Sequence, residues 1–306
     1  MKEDDIVHFL KTRFPAPVGF MGIGDDCAVF PDESGGYWLV TTDSMVEGTH
    51  FLENKISARD LGYKLAMVNF SDIAAMGGRP HSAYLSCAMA SDYVDAENLF
   101  DGVKEALEEV GIPLLGGDIA GSTKNLFLSM TVMGRAEKIV RRSGGRPGDI
   151  LCVTDVLGDS AGGLQQLLNE DGDSLRAKHT RPRSHLKEGQ VLAACRGVNA
   201  MMDVSDGLHI DVQRLAQASG CGAKIFLDKL PLSEELRAYA GDAAEELAIS
   251  GGEDYCLLAA VDPGQLQELK DVRLYPVGEL TKEPGALVYM RGKRLESISP
   301  QPFEHF

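Results

Sequence analysis

The chain has 306 residues, enough for two domains with sizeable cores, and its 44% hydrophobic and 25% charged residues are ordinary for a soluble globular protein. With 30 Lys+Arg against 46 Asp+Glu the formal charge is −16, which repels phosphate backbones and argues against a nucleic-acid binder. The charged start MKEDDIVHFLKTRF lacks the apolar stretch of a signal peptide, no apolar run reaches membrane-span length, and the six cysteines form no Cys-x-x-Cys pair, so the expectation is a reduced, cytoplasmic chain.

The elements alternate between strand and helix. YWLVTTD (37–43) reads as a strand, and 57–78 as a helix with Ser57 and Asp60 in capping-box spacing and Gly77-Gly78 as its stop. SAYLSCAMA (82–90) is a strand. DAENLFDGVKEALEEVG (95–111) is an amphipathic helix with Leu99, Val103, Leu107 and Val110 on one side. IPLLGGD (112–118) and NLFLSMTVMG (125–134) are strands, the second with Leu126, Leu128, Met130 and Val132 alternating. The Gly/Arg/Pro stretch VRRSGGRPGD (140–149) is the best candidate for a domain boundary.

Beyond it, ILCVTD (150–155), AMMDV (200–204), AKIFL (223–227), YCLLAAV (255–261), RLYPVGE (273–279) and ALVYM (286–290) read as strands. Helices fall at 160–168, around 191–197, and at 205–220, the last with Ser205 as N-cap and Gly220 as stop. Mixed strands and helices in both halves predict an α/β protein of mixed layers: two domains, 1–138 and 139–306, each a sheet packed with helices.

Carboxylates recur where elements end. GIGDDCAVF (22–30) carries adjacent Asp25 and Asp26, Asp43 closes its strand, Asp118 follows LLGG, Asp203 and Asp206 flank a strand–helix junction, and Glu253-Asp254 follow SGG. Each alone reads equally as turn or cap chemistry. Asp72 differs, because its helix is apolar almost all round and Asn69 shares its side. An ionised Asp there needs a distant arginine, a backbone cap or a cation. Carboxylates and the hydroxyls of Thr41 and Thr42 are hard oxygen ligands, which favour Mg²⁺, Mn²⁺ or Ca²⁺ over zinc. Several such ions let an acidic protein hold a polyphosphate. Arg135, Lys138, Arg141, Arg142 and Arg146 supply the densest basic run, either a phosphate clamp or a solvated loop, and KHTRPRSHLK (178–187) reads as a surface loop. There is no P-loop and no protein-kinase signature.

Eight blocks in order, GIGDDCAVF, TTDSMVEGTHF, VNFSDIAAMGGRP, LLGGD, RRSGGRPGD, GDSAGGL, DVSDGL and SGGEDY, resemble the thiamine-monophosphate kinase family of the aminoimidazole-ribonucleotide-synthetase-like ATP-binding superfamily. The resemblance implies ATP-dependent phosphorylation of thiamine phosphate on several Mg²⁺ ions, in a homodimer formed by the N-terminal domains. It implies metal ligation by Asp26, Thr41, Thr42, Asp43, Asp72, Asp118, Asp203 and Asp206. Nucleotide contacts fall on Gly117, Asp118, Arg142 and Ser205, with Asp118, Arg142 and Asp206 nearest the chemistry. Substrate contacts fall on His50, Glu253 and Phe303. Ile119 stands where the family usually has Thr. Two alternatives stay open: another ATP enzyme of the superfamily, expected to carry a reactive cysteine near a terminus, and a non-catalytic cation- or nucleotide-binding regulator.

Overall fold

A computed structural model describes residues 3–91, 93 and 95–298, so Phe303 lies outside the described residues. After helix α1 (Glu3–Arg13), five strands build the first sheet: β1 (Ala28–Pro31), β2 (Tyr37–Val46), β3 (Arg79–Met89), β4 (Leu114–Gly121) and β5 (Phe127–Ala136). Their order is β1-β2-β5-β3-β4, antiparallel except for the β3–β4 pair. Strand alternation turns Leu39, Thr41 and Met45 of β2, and Leu128, Met130 and Val132 of β5, to the buried face. β4 is an edge strand, exposed at every residue.

Helix α2 (Ala58–Ala75) lies on the buried face, and α3 (Ala96–Val110) packs on α2. Ser57 caps α2 by accepting from the Asp60 backbone N–H at 3.1 Å, and Gly77, at φ 74°, ends it, as its sequence predicts. The two helices touch at glycines. A Cβ on Gly102 would stand 1.8 Å from the Arg59 carbonyl oxygen, and one on Gly62 would stand 2.0 Å from that of Leu99. α2 is also the bridge to the second half, meeting β2 and β5 on one side and a helix and strand of that half on the other. From Leu61 to Ala75 every residue except half-buried Asp72 is buried, which is why the helix is apolar all round.

The second sheet contains β6 (Ile150–Val153), β7 (Val198–Asp203), β8 (Gly222–Phe226), β9 (Leu257–Val261), β10 (Tyr275–Thr281), β11 (Leu287–Arg291) and β12 (Arg294–Glu296). Its order is β12-β11-β8-β10-β6-β9-β7, with only β8 and β11 parallel. Helices α4 (Asp159–Asn169), α5 (Arg176–Thr180), α6 (Leu186–Ala194), α7 (Leu208–Ala218), α8 (Glu234–Ala240) and α9 (Ala244–Ser250) complete this half. Leu151, Val153, Met202, Leu215, Ile225, Leu258 and Val277 form its core. Two mixed sheets packed with helices match the expected fold class. No described helix is long and apolar enough to cross a membrane.

Three local expectations fail. β2 runs on to Val46, so Asp43 lies inside its strand and does not close it. α7 starts at Leu208 behind Gly207, at φ 100°, so Ser205 is not its N-cap; instead the Asp211 carboxylate reaches back to the Asp206 N–H at 3.1 Å. The run 178–187 is not a surface loop, since His179, Thr180, Ser184 and His185 are buried. Tertiary partners pull it in: Arg181 bridges Asp60 (2.9 Å) and Glu105, with its guanidinium 3.8 Å over the Tyr63 ring.

Candidate active site

Three elements bring carboxylates to one point. Asp26 comes from the loop before β1, Asp72 from α2 and Asp203 from the end of β7, with one oxygen of each within 4.8 Å of the others. Neighbouring polar groups on α2 and β2 hold them in place. Ser71 donates its hydroxyl to Asp203 Oδ2 at 2.6 Å, and the Thr41 hydroxyl donates to Asp72 Oδ2. Asn69 Oδ1 accepts from the Asp43 N–H at 3.1 Å, which fixes β2 against the helix.

Burial and mutual repulsion dominate the electrostatics. Burial, with Asp26 next in size, pushes Asp203 up to about 7. Burial, then Asp206, pushes Asp43 up to about 6, and burial, then Asp43, holds Asp72 well above the usual carboxylate range. Asp25 is likewise pushed up to about 6 by burial and by Asp26. Such a group of acids takes up positive charge, as protons or as a metal ion.

Arg142 supplies part of that charge. Its Nη2 lies 2.6 Å and its Nε 3.1 Å from Asp26 Oδ1, while its backbone N–H donates to Asp25 Oδ1 at 3.2 Å. The paired aspartates coexist because they face different partners: Asp25 turns to main-chain N–H groups, Asp26 to the guanidinium and the cluster. Asp26 Oδ2 is buried and has no hydrogen-bond partner among the described residues. A buried carboxylate oxygen left bare beside two more acids fits an oxygen-liganded divalent cation such as Mg²⁺.

The remaining expected residues divide. Asp206 borders the cluster, since it raises Asp43, but its own carboxylate is paired with Arg214. His50 and Glu253 lie near each other: against burial, Lys64 foremost, then His179 and last His50 keep the Glu253 carboxyl low, and the His50 Nδ1 accepts from the Val46 N–H at 3.0 Å. The Ser205 carbonyl accepts from the Glu253 N–H. Thr42 does not join Thr41. Strand alternation puts it on the open face of the sheet, where its hydroxyl meets that of Thr131 at 2.8 Å. Gly117 and Asp118 sit on edge strand β4, and no hydrogen bond or ion pair among the described residues ties Asp118 to the cluster. Arg135 pairs with Asp32 instead of a phosphate site, and Asp254 accepts from the N–H groups of Gly158 (2.7 Å) and Ser160 (3.3 Å) at the start of α4. Sequence reasoning missed Ser71, Lys64, His179 and Arg214. A lysine inside an apolar helix was the available signal for Lys64.

The chain matches the AIR synthase related protein N-terminal domain family over residues 24–136 and the corresponding C-terminal domain family over 146–290. It is 36% identical over 307 residues to the thiamine-monophosphate kinase of Escherichia coli (strain K12), covering 94% of this chain and 92% of that one. It is 37% identical over 317 residues to the thiamine-monophosphate kinase of Aquifex aeolicus (strain VF5), covering 99% and 98%. The solved structure of AaThiL complexed with AMPPCP and TMP superposes with a TM-score of 0.89 at 31% identity, covering 100% of this chain and 97% of that one. The E. coli hydrogenase maturation protein HypE, 19% identical with a TM-score of 0.74, shares the fold alone. With this identity sustained over nearly its whole length and both halves matched, the chain belongs to the thiamine-monophosphate kinase family.

Proposed function

We propose that this chain transfers the γ-phosphoryl group of ATP to thiamine phosphate, giving thiamine diphosphate, with the transfer centred on the Asp26–Asp72–Asp203 cluster. The observation that carries the reading is the bare, buried Asp26 Oδ2 within a carboxylate group built by three separate elements. The acceptor is a phosphate monoester, already anionic near neutral pH, so no strong general base is required and positioning dominates. Asp26, Asp43, Asp72 and Asp203, with Thr41 and Asp206 at the border, hold the cations, which when bound neutralise phosphate charge. Arg142 stands beside them, where its guanidinium meets the same anions. Gly117, Asp118 and Ser205 belong to the nucleotide side, and His50 and Glu253 to thiamine phosphate.

The reading also includes a homodimer through the first sheet, supported by exposed Leu114, Leu115 and Ile119 on edge strand β4. It keeps units at 1–138 and 139–306, working in the cytoplasm. The test is ATP turnover across a panel of acceptors with chiral thio-labelled ATP. ADP should form with thiamine phosphate and Mg²⁺, with one inversion at the γ-phosphorus. Turnover indifferent to thiamine phosphate overturns the substrate assignment, and net retention overturns direct transfer.

A further inference from the structure

Lys64 is among the large fully buried side chains of the described residues, at 1% exposure on α2. Lysines are almost never buried unless paired. Its Nζ lies 3.0 Å from Glu253 Oε2 and 3.3 Å from His179 Nε2. His179 Nδ1 lies 3.2 Å from the same Glu253 oxygen and 3.1 Å from Ser160 Oγ. Because the ammonium can only donate, Nε2 accepts from it, which places the imidazole proton on Nδ1, hydrogen-bonded to Ser160 Oγ, with the Glu253 carboxylate alongside. Two helices distant in sequence, α2 and α5, thus converge on one carboxylate in the loop before β9.

That carboxylate is the open end of the group. The Glu253 side chain keeps 28% of its exposure while the Lys64 side chain keeps 2%. Its backbone sits at φ 65°, a conformation that costs a non-glycine residue energy and concentrates at functional loops. The Glu253 N–H is tied to the Ser205 carbonyl at 2.7 Å. Burying a lysine to hold a half-exposed glutamate adds little stability, because desolvation offsets the attraction. It does fix the carboxylate's position and charge.

We propose that Lys64, backed by His179, is a positioning residue for thiamine phosphate, acting through the Glu253 carboxylate. This rests on the reading of Glu253 as a substrate contact, so the experiment tests the two separately. Glu253→Gln, Lys64→Met and the double variant are compared in the full-length protein with Mg²⁺, by steady-state kinetics and by calorimetric binding of thiamine phosphate. Glu253→Gln is expected to raise the KM and Kd for thiamine phosphate roughly tenfold, on the scale of one charge-assisted contact. Lys64→Met should do the same with the loss on KM for thiamine phosphate and not on KM for ATP. The double variant should be no worse than Glu253→Gln alone. Lys64→Gln, which keeps a donor, serves if the methionine variant does not fold.

A pH series separates positioning from packing. The groups facing His179 are Lys64 from α2, Glu253 from the loop and Ser160 from α4. Burial, then Lys64, holds His179 down at about 4, so it is neutral in the intact protein. Without the ammonium one of the two lowering causes is gone but burial, the larger, stays, so His179 still titrates below the ordinary histidine range and can protonate to replace the lost charge only under mildly acid conditions. The Lys64→Met deficit, taken as a ratio to the unaltered protein at each pH, should therefore hold from pH 8 to about 6.5 and shrink only as pH falls below that, and should not shrink when His179→Asn is added. A normal KM in Lys64→Met beside a raised one in Glu253→Gln overturns the proposal and leaves Glu253 as a contact. No effect in Glu253→Gln overturns the contact itself. A pH-independent loss that falls equally on ATP makes Lys64 a packing residue.

Discussion

Removing Arg142 tests the charge logic of the cluster most directly. The Asp26 side chain is 0% exposed and that of Arg142 23%. Arg142→Ala leaves a buried carboxylate with one oxygen already bare and the other newly so. Breaking a buried pair from one side costs about 3–5 kcal/mol, and the partial exposure of Arg142 places this case near about 3 kcal/mol. A cation on Asp26 would replace the guanidinium's charge. Urea unfolding in EDTA should therefore show the full loss, and unfolding in Mg²⁺ a loss below about 1 kcal/mol, with KCl at equal ionic strength giving no such rescue. Turnover should fall, or the ATP requirement rise, by roughly one to three powers of ten even where Mg²⁺ restores stability. Equal losses in EDTA and Mg²⁺ would refute the idea that arginine and metal share Asp26. A loss under about 0.5 kcal/mol in EDTA would refute the claim that Asp26 and Arg142 form a buried ion pair.

Asp72→Asn keeps shape and the Thr41 contact but removes a ligand charge, so Mg²⁺-dependent turnover should drop roughly a hundredfold or more with an unchanged circular dichroism spectrum; near-normal turnover would make Asp72 structural. Gly102→Ala places a Cβ 1.8 Å from the Arg59 carbonyl oxygen, and the forced separation of α2 and α3 should cost about 1–3 kcal/mol or more in thermal unfolding. Burial, then Arg183, holds His185 down at about 4. For such a histidine the folded state binds fewer protons than the unfolded one, so its contribution is intact above about pH 6.5 and lost as pH falls toward 4. Compared with His185→Asn, whose side chain tolerates the backbone φ of 49°, the unaltered protein should lose stability by up to about 1.4 kcal/mol per pH unit in that window. Parallel pH curves would show His185 to be protonated or solvated.

Local chemistry carried much of this protein in its sequence. Ser57, Asp60 and Gly77 delimit α2 because caps and left-handed stops act within a few residues, and the alternation of Leu126, Leu128, Met130 and Val132 marks β5 because a strand's faces repeat every two residues. The all-round apolar character of α2 announced a buried helix, and within it Asp72 stood out as an acid needing a partner: an arginine, a backbone cap or a cation. Folding alone decided which acids meet. Asp26, Asp72 and Asp203 converge because α2 lies between the two sheets, whereas Asp254, second after a glycine just as Asp26 is, accepts from main-chain N–H groups at the start of α4. Thr41 and Thr42 are chemically alike neighbours that a strand sends to opposite faces. The run 178–187, polar enough to read as a loop, is drawn inward by Asp60, Glu105, Lys64 and Glu253, none of them near it in sequence. Charge partners act through space over a few ångströms, and only the packed chain determines which residues come that close.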